Sequence, residues 1–210
     1  MRQIDFYMVD AFANSTFEGN AAAVCPLTEW LPDETLLKMS KQHNQSETAY
    51  FVPTEKGFEL RWFTTQAEIN LCGHATLAAA HVIFEHLNHP GETIHFDTRF
   101  VGPLTVTRYG EWLTLDFPAW KTEPVTPPGE GEYDFVSRFF CPGEAVVEDP
   151  VTGSAHSMLI PYWAEKLNKT QMMAYQGAER GGDLRCQQVG ERVHIGGQAT
   201  TYLSGKILLR

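Results

Sequence analysis

The stretch EDPVTGSAH, Glu148 to His156, places two acids and a Gly-Ser pair directly before an apolar helical pattern. Such a turn can bind an anion, position an acid or cap a helix, because the first N–H groups of a helix lack partners within it. For an isolated Asp-Pro such as Asp149, the more common role is a helix cap. A second stretch, CGHATLA, places His74 on the first turn of another apolar helix. The residue types therefore allow anion binding and proton transfer at two helix starts.

Glu47 lies in NQSETAYF, directly before the apolar strand residues Ala49, Phe51 and Val52. If its side chain is buried among apolar neighbours, its pKa rises and the carboxyl group can exchange a proton near neutral pH. The alternative is an exposed acid at a strand end. The helix dipole around His74 disfavours the imidazolium, so we expect a neutral imidazole that donates or accepts one hydrogen bond. The alternative for this residue is a satisfied core or capping histidine.

The chain resembles itself at a spacing of 80 residues, which aligns Glu68 with Glu148 and Gly73 with Gly153. The alignment continues without a gap from residue 68 to 115, and further glycines stay in register. Each glycine marks a turn, so their agreement argues against chance matches of common residues. Self-similarity at a fixed spacing predicts a duplicated supersecondary unit.

Each copy is predicted to contain an aromatic strand, a turn, a helix and then alternating strands. The helices are predicted over His74–Leu87 and Ser154–Leu167, and Pro161 is expected to kink or bound the second. A helix that is apolar on most sides, amid many short strands, predicts an α+β fold with each sheet wrapped around a central helix as in a barrel. The predicted lobes are 1–117 and 118–210, joined by the linker KTEPVTPPGEGEY.

The two copies differ in length before the helix. Sixty residues precede Arg61 in the first copy, whereas 20 residues separate Phe117 from Arg138, its equivalent in the second copy. The second lobe is therefore predicted to be truncated, with a barrel that is open on one side or completed by another chain.

Composition narrows the classes of function. A net charge of −10 makes nucleic acids and anionic membranes poor partners, and no apolar run is long enough for a membrane span. Four well-separated cysteines and a start without signal-peptide features favour the reducing cytoplasm. The chain lacks the P-loop, dinucleotide, zinc-protease and serine-hydrolase motifs, so we predict no metal ligands and no cofactor.

Several long blocks occur in order almost to the C-terminus: VDAFANSTFEGNAAAV, NQSETAYFV, RWFTTQAEINLCGHATLAAAH, EDPVTGSAH, RGGDL and ERVHIGG. Together they resemble the PhzF phenazine-biosynthesis-like family. The resemblance implies the diaminopimelate-epimerase-like fold, with the site in a cleft between two lobes, and commonly a homodimer. The namesake member isomerises dihydro-3-hydroxyanthranilate without a metal or organic cofactor. Family members usually have many more residues in the second lobe than this chain, which puts cleft closure, dimer geometry and activity in doubt.

The resemblance also assigns roles by position. Glu47 corresponds to the family's proton-shuttling carboxylate, and His74 and Asp149 complete the expected catalytic set. The expected substrate-binding residues are Asn20, Ser46, Gly73, Gly153 and Ser154. The implied reaction is a cofactor-independent isomerisation in which Glu47 moves a proton on a small anionic metabolite that carries a carboxylate.

Two alternatives remain open. The chain could be a non-catalytic relative that binds a metabolite or another subunit, because its second lobe is shortened. It could also be a cysteine-based amino-acid epimerase, which needs one thiol on each face of the substrate. The repeat aligns Cys72 with Thr152, so this last alternative is the least favoured.

Overall fold

The computed structural model describes residues 2–119, 128–129, 131–141 and 146–209, with the backbone alone for Cys141, Val146 and Val147. The helices in this part of the chain are α1 (Asp33–His43), α2 (Gly73–Glu85) and α3 (Gly153–Leu167). None of these described helices has both the length and the apolar character that crossing a bilayer requires. Pro161 lies inside α3, which excludes a helix boundary at this residue, whereas the kink stays a prediction.

The strands in chain order are β1 (Arg2–Ala11), β2 (Asn20–Pro26), β3 (Thr48–Thr54), β4 (Gly57–Phe63), β5 (Glu68–Ile69), β6 (Thr93–Thr98), β7 (Leu104–Tyr109), β8 (Trp112–Pro118), β9 (Phe135–Ser137), β10 (Phe139–Cys141), β11 (Val146–Asp149), β12 (Gln171–Gln176), β13 (Gly182–Val189), β14 (Arg192–Gly197) and β15 (Ala199–Leu209). Thirteen of them form one sheet along the path β15-β1-β2-β3-β4-β6-β7-β8-β14-β13-β12-β9, with β5 paired to β4. The remaining two, β10 and β11, pair with each other. Strands and helices are thus combined as an α+β fold, as the sequence predicted.

Helix α2 is the centre of the first lobe. It packs against β1, β2, β3, β8 and β15, and eleven of its thirteen residues are buried. Its polar residue His81 is accommodated by β15, because its Nε2 lies 3.0 Å from the hydroxyl oxygen of Thr201. A helix without a polar face requires this all-round enclosure, which confirms that the first sheet wraps a central helix.

Helix α3 is enclosed less completely. Strands β13 and β14 supply its main sheet contacts, and the described residues contain no counterpart of β15, β1, β2 and β3 on this side. Tyr162 is consequently half-buried, whereas its repeat partner Val82 has 0% exposure. The truncated second lobe predicted from the unequal copies is confirmed for the part of the chain described.

The sheet runs without interruption from one lobe into the other. β14 pairs antiparallel with β8, from Arg192 opposite Pro118 to Gly197 opposite Leu113. β15 then returns to pair with β1, so the segment 118–210 also completes the first barrel. The division of the chain at residue 117 stays a prediction.

A side chain from the second half of the chain anchors the loop that joins β1 and β2. The guanidinium of Arg180 donates to Asp10 Oδ1 at 2.7 Å and to the carbonyl oxygens of Glu18 and Gly19 at 2.7 and 3.0 Å. Because Asp10 is buried, this ion pair satisfies a carboxylate that would otherwise be costly to enclose.

The first residues of α2 and α3 touch backbone to backbone. A Cβ atom at Gly73 would lie 2.7 Å from Gly153 Cα, and a Cβ atom at Gly153 would lie 2.9 Å from Gly73 Cα. No side chain fits at either position, which explains why both copies of the repeat carry glycine there. The N-termini of the two repeat-related helices therefore meet at one point.

We predict that Gly73→Ala lowers the free energy of unfolding by about 1–3 kcal/mol, because the added methyl group must push two helix starts apart. Urea unfolding followed by circular dichroism measures this change. The matched control is Gly205→Ala in the exposed strand β15, where the nearest atom to a new Cβ is 4.0 Å away. Its effect should stay within about 0.5 kcal/mol. Equal losses in the two variants would contradict the close contact.

Candidate active site

A cavity of about 610 Å³ lies beside the two helix starts. From the first half of the chain it is lined by the segments 44–47 and 64–66, and from the second by Asp149, Thr152 and Ser154. Ile69, Leu71 and Phe139 add an apolar part to the wall. No lysine or arginine is among the described lining residues, so the helix N-termini become an important source of positive potential for an anion.

Glu47 is held at the edge of this cavity by the backbone on both sides. Helix α1 ends at His43, and Asn44 turns the chain with a φ of 54° in the left-handed region. The carbonyl oxygen of Glu47 then accepts the N–H of Ala23 at 3.3 Å, immediately before β3 begins. The carboxylate is thereby directed toward α2, where its Oε2 lies 3.2 Å from Nε2 of His74.

The Glu47–His74 contact is an ion pair in a buried setting. The side chains are 19% and 5% exposed, and the approach at Nε2 is close without being a well-aligned hydrogen bond. Burial favours the neutral form of Glu47, but the facing His74 and the hydroxyl of Ser46 lower its pKa below the ordinary 4.5. Burial likewise opposes the imidazolium, but contacts with Cys72 and Glu47 raise the pKa of His74 well above 6.5.

Two expectations about protonation are therefore wrong. Glu47 was expected to have a raised pKa and His74 to be neutral, and the structure gives the opposite direction for both. The physical reason is close contact: Cys72 and then Glu47 favour the imidazolium of His74, and His74 and Ser46 favour the carboxylate of Glu47. The local sequence contained no sign that Glu47 and His74 would meet.

Asn20 connects Asp149 with the start of α2. This residue begins β2 and is 3% exposed. Its Nδ2 donates to Asp149 Oδ1 at 2.7 Å and to the carbonyl oxygen of Val151 at 3.0 Å, and lies 3.2 Å from His74 Nδ1. Asn20 does not line the cavity and lies behind Asp149 and His74. This place suits support of these two side chains better than direct contact with a ligand.

Asp149 is enclosed but well supplied with donors. Its Oδ2 accepts the hydroxyl of Thr152, and its Oδ1 accepts the amide of Asn20. Burial, together with the charge of Glu47, raises the pKa of Asp149, and the opposing effects of His74 and the two donors are smaller in sum. Asp149 makes no side-chain cap to a backbone N–H of α3, so the capping role expected for an isolated Asp-Pro is wrong.

The structure brings the residues singled out in the sequence into one place. Ser46, Glu47, Asp149 and Ser154 line the cavity, whereas His74 lies behind Glu47 and the two glycines form the contact between the helices. The sequence did not point to Gln176, whose side chain is fully buried and hydrogen-bonded to the turn that carries Asp149. The available signal was its polar side chain at an inward-facing position of an alternating strand.

Glu47, Cys72 and His74 also offer three possible metal ligands within 4.8 Å of one another. The thiol contacts Nδ1 of His74 at 3.5 Å, whereas the carboxylate faces Nε2. These two nitrogens point to different sides of the imidazole ring, so a single ion cannot take all three groups as they are arranged. The arrangement suits proton exchange better than coordination.

The stability of the protein should depend on pH through Glu47 and His74. A lowered pKa means that Glu47 stabilises the fold above about pH 4.5 and loses this effect as pH falls. A raised pKa means that His74 stabilises the fold below about pH 6.5 and loses this effect as pH rises through its folded value. The ion pair therefore contributes most between these two limits.

We predict that Glu47→Gln lowers the free energy of unfolding near pH 6 by about 1–3 kcal/mol and reduces the decline above that pH. The His74 resonances in an NMR titration should shift to a lower pKa in the variant. Glu55→Gln, in the exposed turn after β3, is the control and should retain the wild-type pH profile. An unchanged His74 pKa in Glu47→Gln would show that the two groups are not coupled.

The chain is similar to known proteins along almost its whole length. A profile of the PhzC-PhzF family, described as phenazine biosynthesis-like protein, matches residues 9–128 and 120–205. A Pseudomonas aeruginosa protein described as an uncharacterized isomerase is 41% identical over 99% of this chain and 100% of its own length. The crystal structure of a PhzF-family protein from Enterococcus faecalis is 37% identical, with a TM-score of 0.91 over 99% of this chain and 100% of that one.

More distant structures share the fold alone. A hydroxyproline epimerase from Agrobacterium vitis has a TM-score of 0.62 at 10% identity, over 98% of this chain and 92% of its own. The alignment to the Pseudomonas relative spans 259 positions, whereas this chain has 210 residues, so the relative carries residues that this chain lacks. The two profile matches meet at residues 120–128, within the linker. The chain belongs to the PhzF family of phenazine biosynthesis-like proteins.

Proposed function

We propose that this protein is an isomerase that moves a proton on a small carboxylate-bearing metabolite, with Glu47 as the base and without a cofactor. The observation that carries the proposal is the close pair of Glu47 and His74 beside a cavity at two helix starts. The description of the Pseudomonas aeruginosa relative as an isomerase supports the same class of reaction.

Helix geometry accounts for binding of an anionic substrate by an acidic protein. Neither α2 nor α3 has a side-chain cap at its N-terminus, so the first N–H groups of both helices are available. With Gly73 and Gly153 in contact, these donors and the two partial positive charges act at one point. A carboxylate held there would be bound without any lysine or arginine.

The proposed step moves one proton and leaves the oxidation state unchanged. The carboxylate of Glu47 takes a proton from a carbon next to an electron-withdrawing group, and the electron pair is delocalised into the substrate. The neutral carboxyl then returns the proton to another carbon on the same face. The imidazolium of His74 stabilises the charge as it moves, and Asp149, whose pKa is raised, holds a polar group of the substrate.

The test is incorporation of solvent deuterium into a panel of small carboxylic and amino acids, read by NMR and mass spectrometry. We predict that at least one compound exchanges a C–H proton, and that Glu47→Gln slows this exchange by about 100-fold or more because the base is lost. Glu55→Gln also removes one negative charge, but at an exposed position outside the site. The rate of substrate deuterium exchange in this variant should therefore match that of the wild type. Exchange that persists in Glu47→Gln would refute the role of this residue.

The partly covered α3 favours a second candidate function, that of a binding protein without turnover. A carboxylate that raises the melting temperature but exchanges no deuterium would support this candidate. Both candidate functions are compatible with the homodimer that the family resemblance implies. Sedimentation equilibrium tests for this homodimer directly.

A further inference from the structure

Gln176, the last residue of β12, is a polar residue at a fully buried position. Its side chain is 0% exposed, and residues in β12 alternate between inward and outward positions. Strand pairing makes Thr98 its counterpart in the first lobe, because Thr98 lies opposite Leu60 as Gln176 lies opposite Ser137. Burying an amide is costly unless its hydrogen bonds are satisfied, so its partners indicate what it does.

Both polar side-chain atoms of Gln176 form hydrogen bonds with the turn 149–152, which precedes α3. Oε1 accepts the backbone N–H of Thr152 at 2.8 Å, and Nε2 donates to the carbonyl oxygen of Asp149 at 2.8 Å. Nε2 also donates to the hydroxyl oxygen of Thr152 at 3.1 Å. The orientation of the amide is unambiguous, because a backbone N–H can only donate and a carbonyl can only accept.

These hydrogen bonds determine which groups donate and which accept in a short chain from Gln176 through Thr152 to Asp149. The hydroxyl oxygen of Thr152 accepts a hydrogen bond from Gln176, and the hydroxyl in turn donates a hydrogen bond to Asp149 Oδ2. The same turn ends at Gly153, where α3 begins. One buried amide thereby orients the acid and the first N–H groups of the helix.

We propose that Gln176 is a positioning residue that holds the carboxyl group of Asp149 and the start of α3 toward the cavity. In the first lobe Cys72 stands in place of Thr152, and the hydroxyl of Thr98 bonds within its own turn to Val101 and Gly102. Among the described residues, this arrangement is therefore found on the side of Asp149. The functional meaning of this role rests on the proposed function, in which Asp149 belongs to the site.

Two substitutions distinguish the role of the Gln176 acceptor, Oε1, from the role of its donor, Nε2. Gln176→Met removes both while keeping much of the volume. In Gln176→Glu the introduced carboxylate still accepts the N–H of Thr152, but when ionised it cannot donate and adds a negative charge beside Asp149. Phe96→Leu is the matched control, since it perturbs an equally buried position of the other lobe and does not contact the Asp149 turn.

The readouts are hydrogen exchange at the backbone N–H of Thr152 and a carbon-13 titration of Asp149, assigned by comparison with Asp149→Asn. In Gln176→Met we expect Thr152 to exchange about tenfold faster or more, since its acceptor is gone. In Gln176→Glu this exchange should stay close to wild type while the pKa of Asp149 rises. Phe96→Leu should lower the melting temperature and leave both readouts unchanged.

Wild-type exchange at Thr152 in Gln176→Met would overturn the proposal. If that variant fails to fold, Gln176→Glu gives the deciding result, read at pH values where the introduced carboxyl group is ionised. An Asp149 pKa equal to the wild-type value under those conditions would overturn the proposal. Neither readout needs a substrate. Failure of the deuterium screen would therefore leave the positioning role standing, and failure here would leave the proposed isomerase intact.

Discussion

The backbone contact between Gly73 and Gly153 determines where every other group of the site can lie. With no side chain between them, the N-termini of α2 and α3 share one small volume, and their dipoles add there. His74 follows the first glycine and Thr152 precedes the second, so each helix brings a polar residue to the same point. The strands need only deliver Glu47, Asn20 and Gln176 to this junction.

The junction also explains how ionisable groups are kept in a poorly hydrated place. An isolated buried charge costs several kcal/mol, and the cost falls when an opposite charge and hydrogen-bond donors are supplied. Glu47 has His74 opposite to it, and Asp149 receives donors from Asn20 and Thr152. The chain carries a net charge of −10, yet its site gathers positive potential from backbone dipoles and one imidazolium. The positive electrostatic potential of the site therefore does not depend on the sign of the protein's net charge.

The sequence predicted the elements of the site better than their electrostatics. Glycines repeated 80 residues apart located both helix starts, and the resemblance identified the acids that the structure places at the cavity. The pKa direction of Glu47 was missed because it depends on contact with the distant His74, and that of His74 because it depends on the orientation of Cys72 as well as on Glu47. Gln176 was missed for a related reason. A glutamine in a strand resembles an exposed residue until its neighbours in space are known.

The pairing of β8 with β14 limits how the two halves can move. Six consecutive residue pairs connect these strands, so the two lobes share one continuous sheet. Spreading them like jaws would break several ladder hydrogen bonds at once, whereas a small change of sheet twist would break none. The candidate cavity takes lining residues from both halves of the chain, so a change of twist would alter its shape. A junction of this kind would select ligands by their fit to a cavity that is already formed.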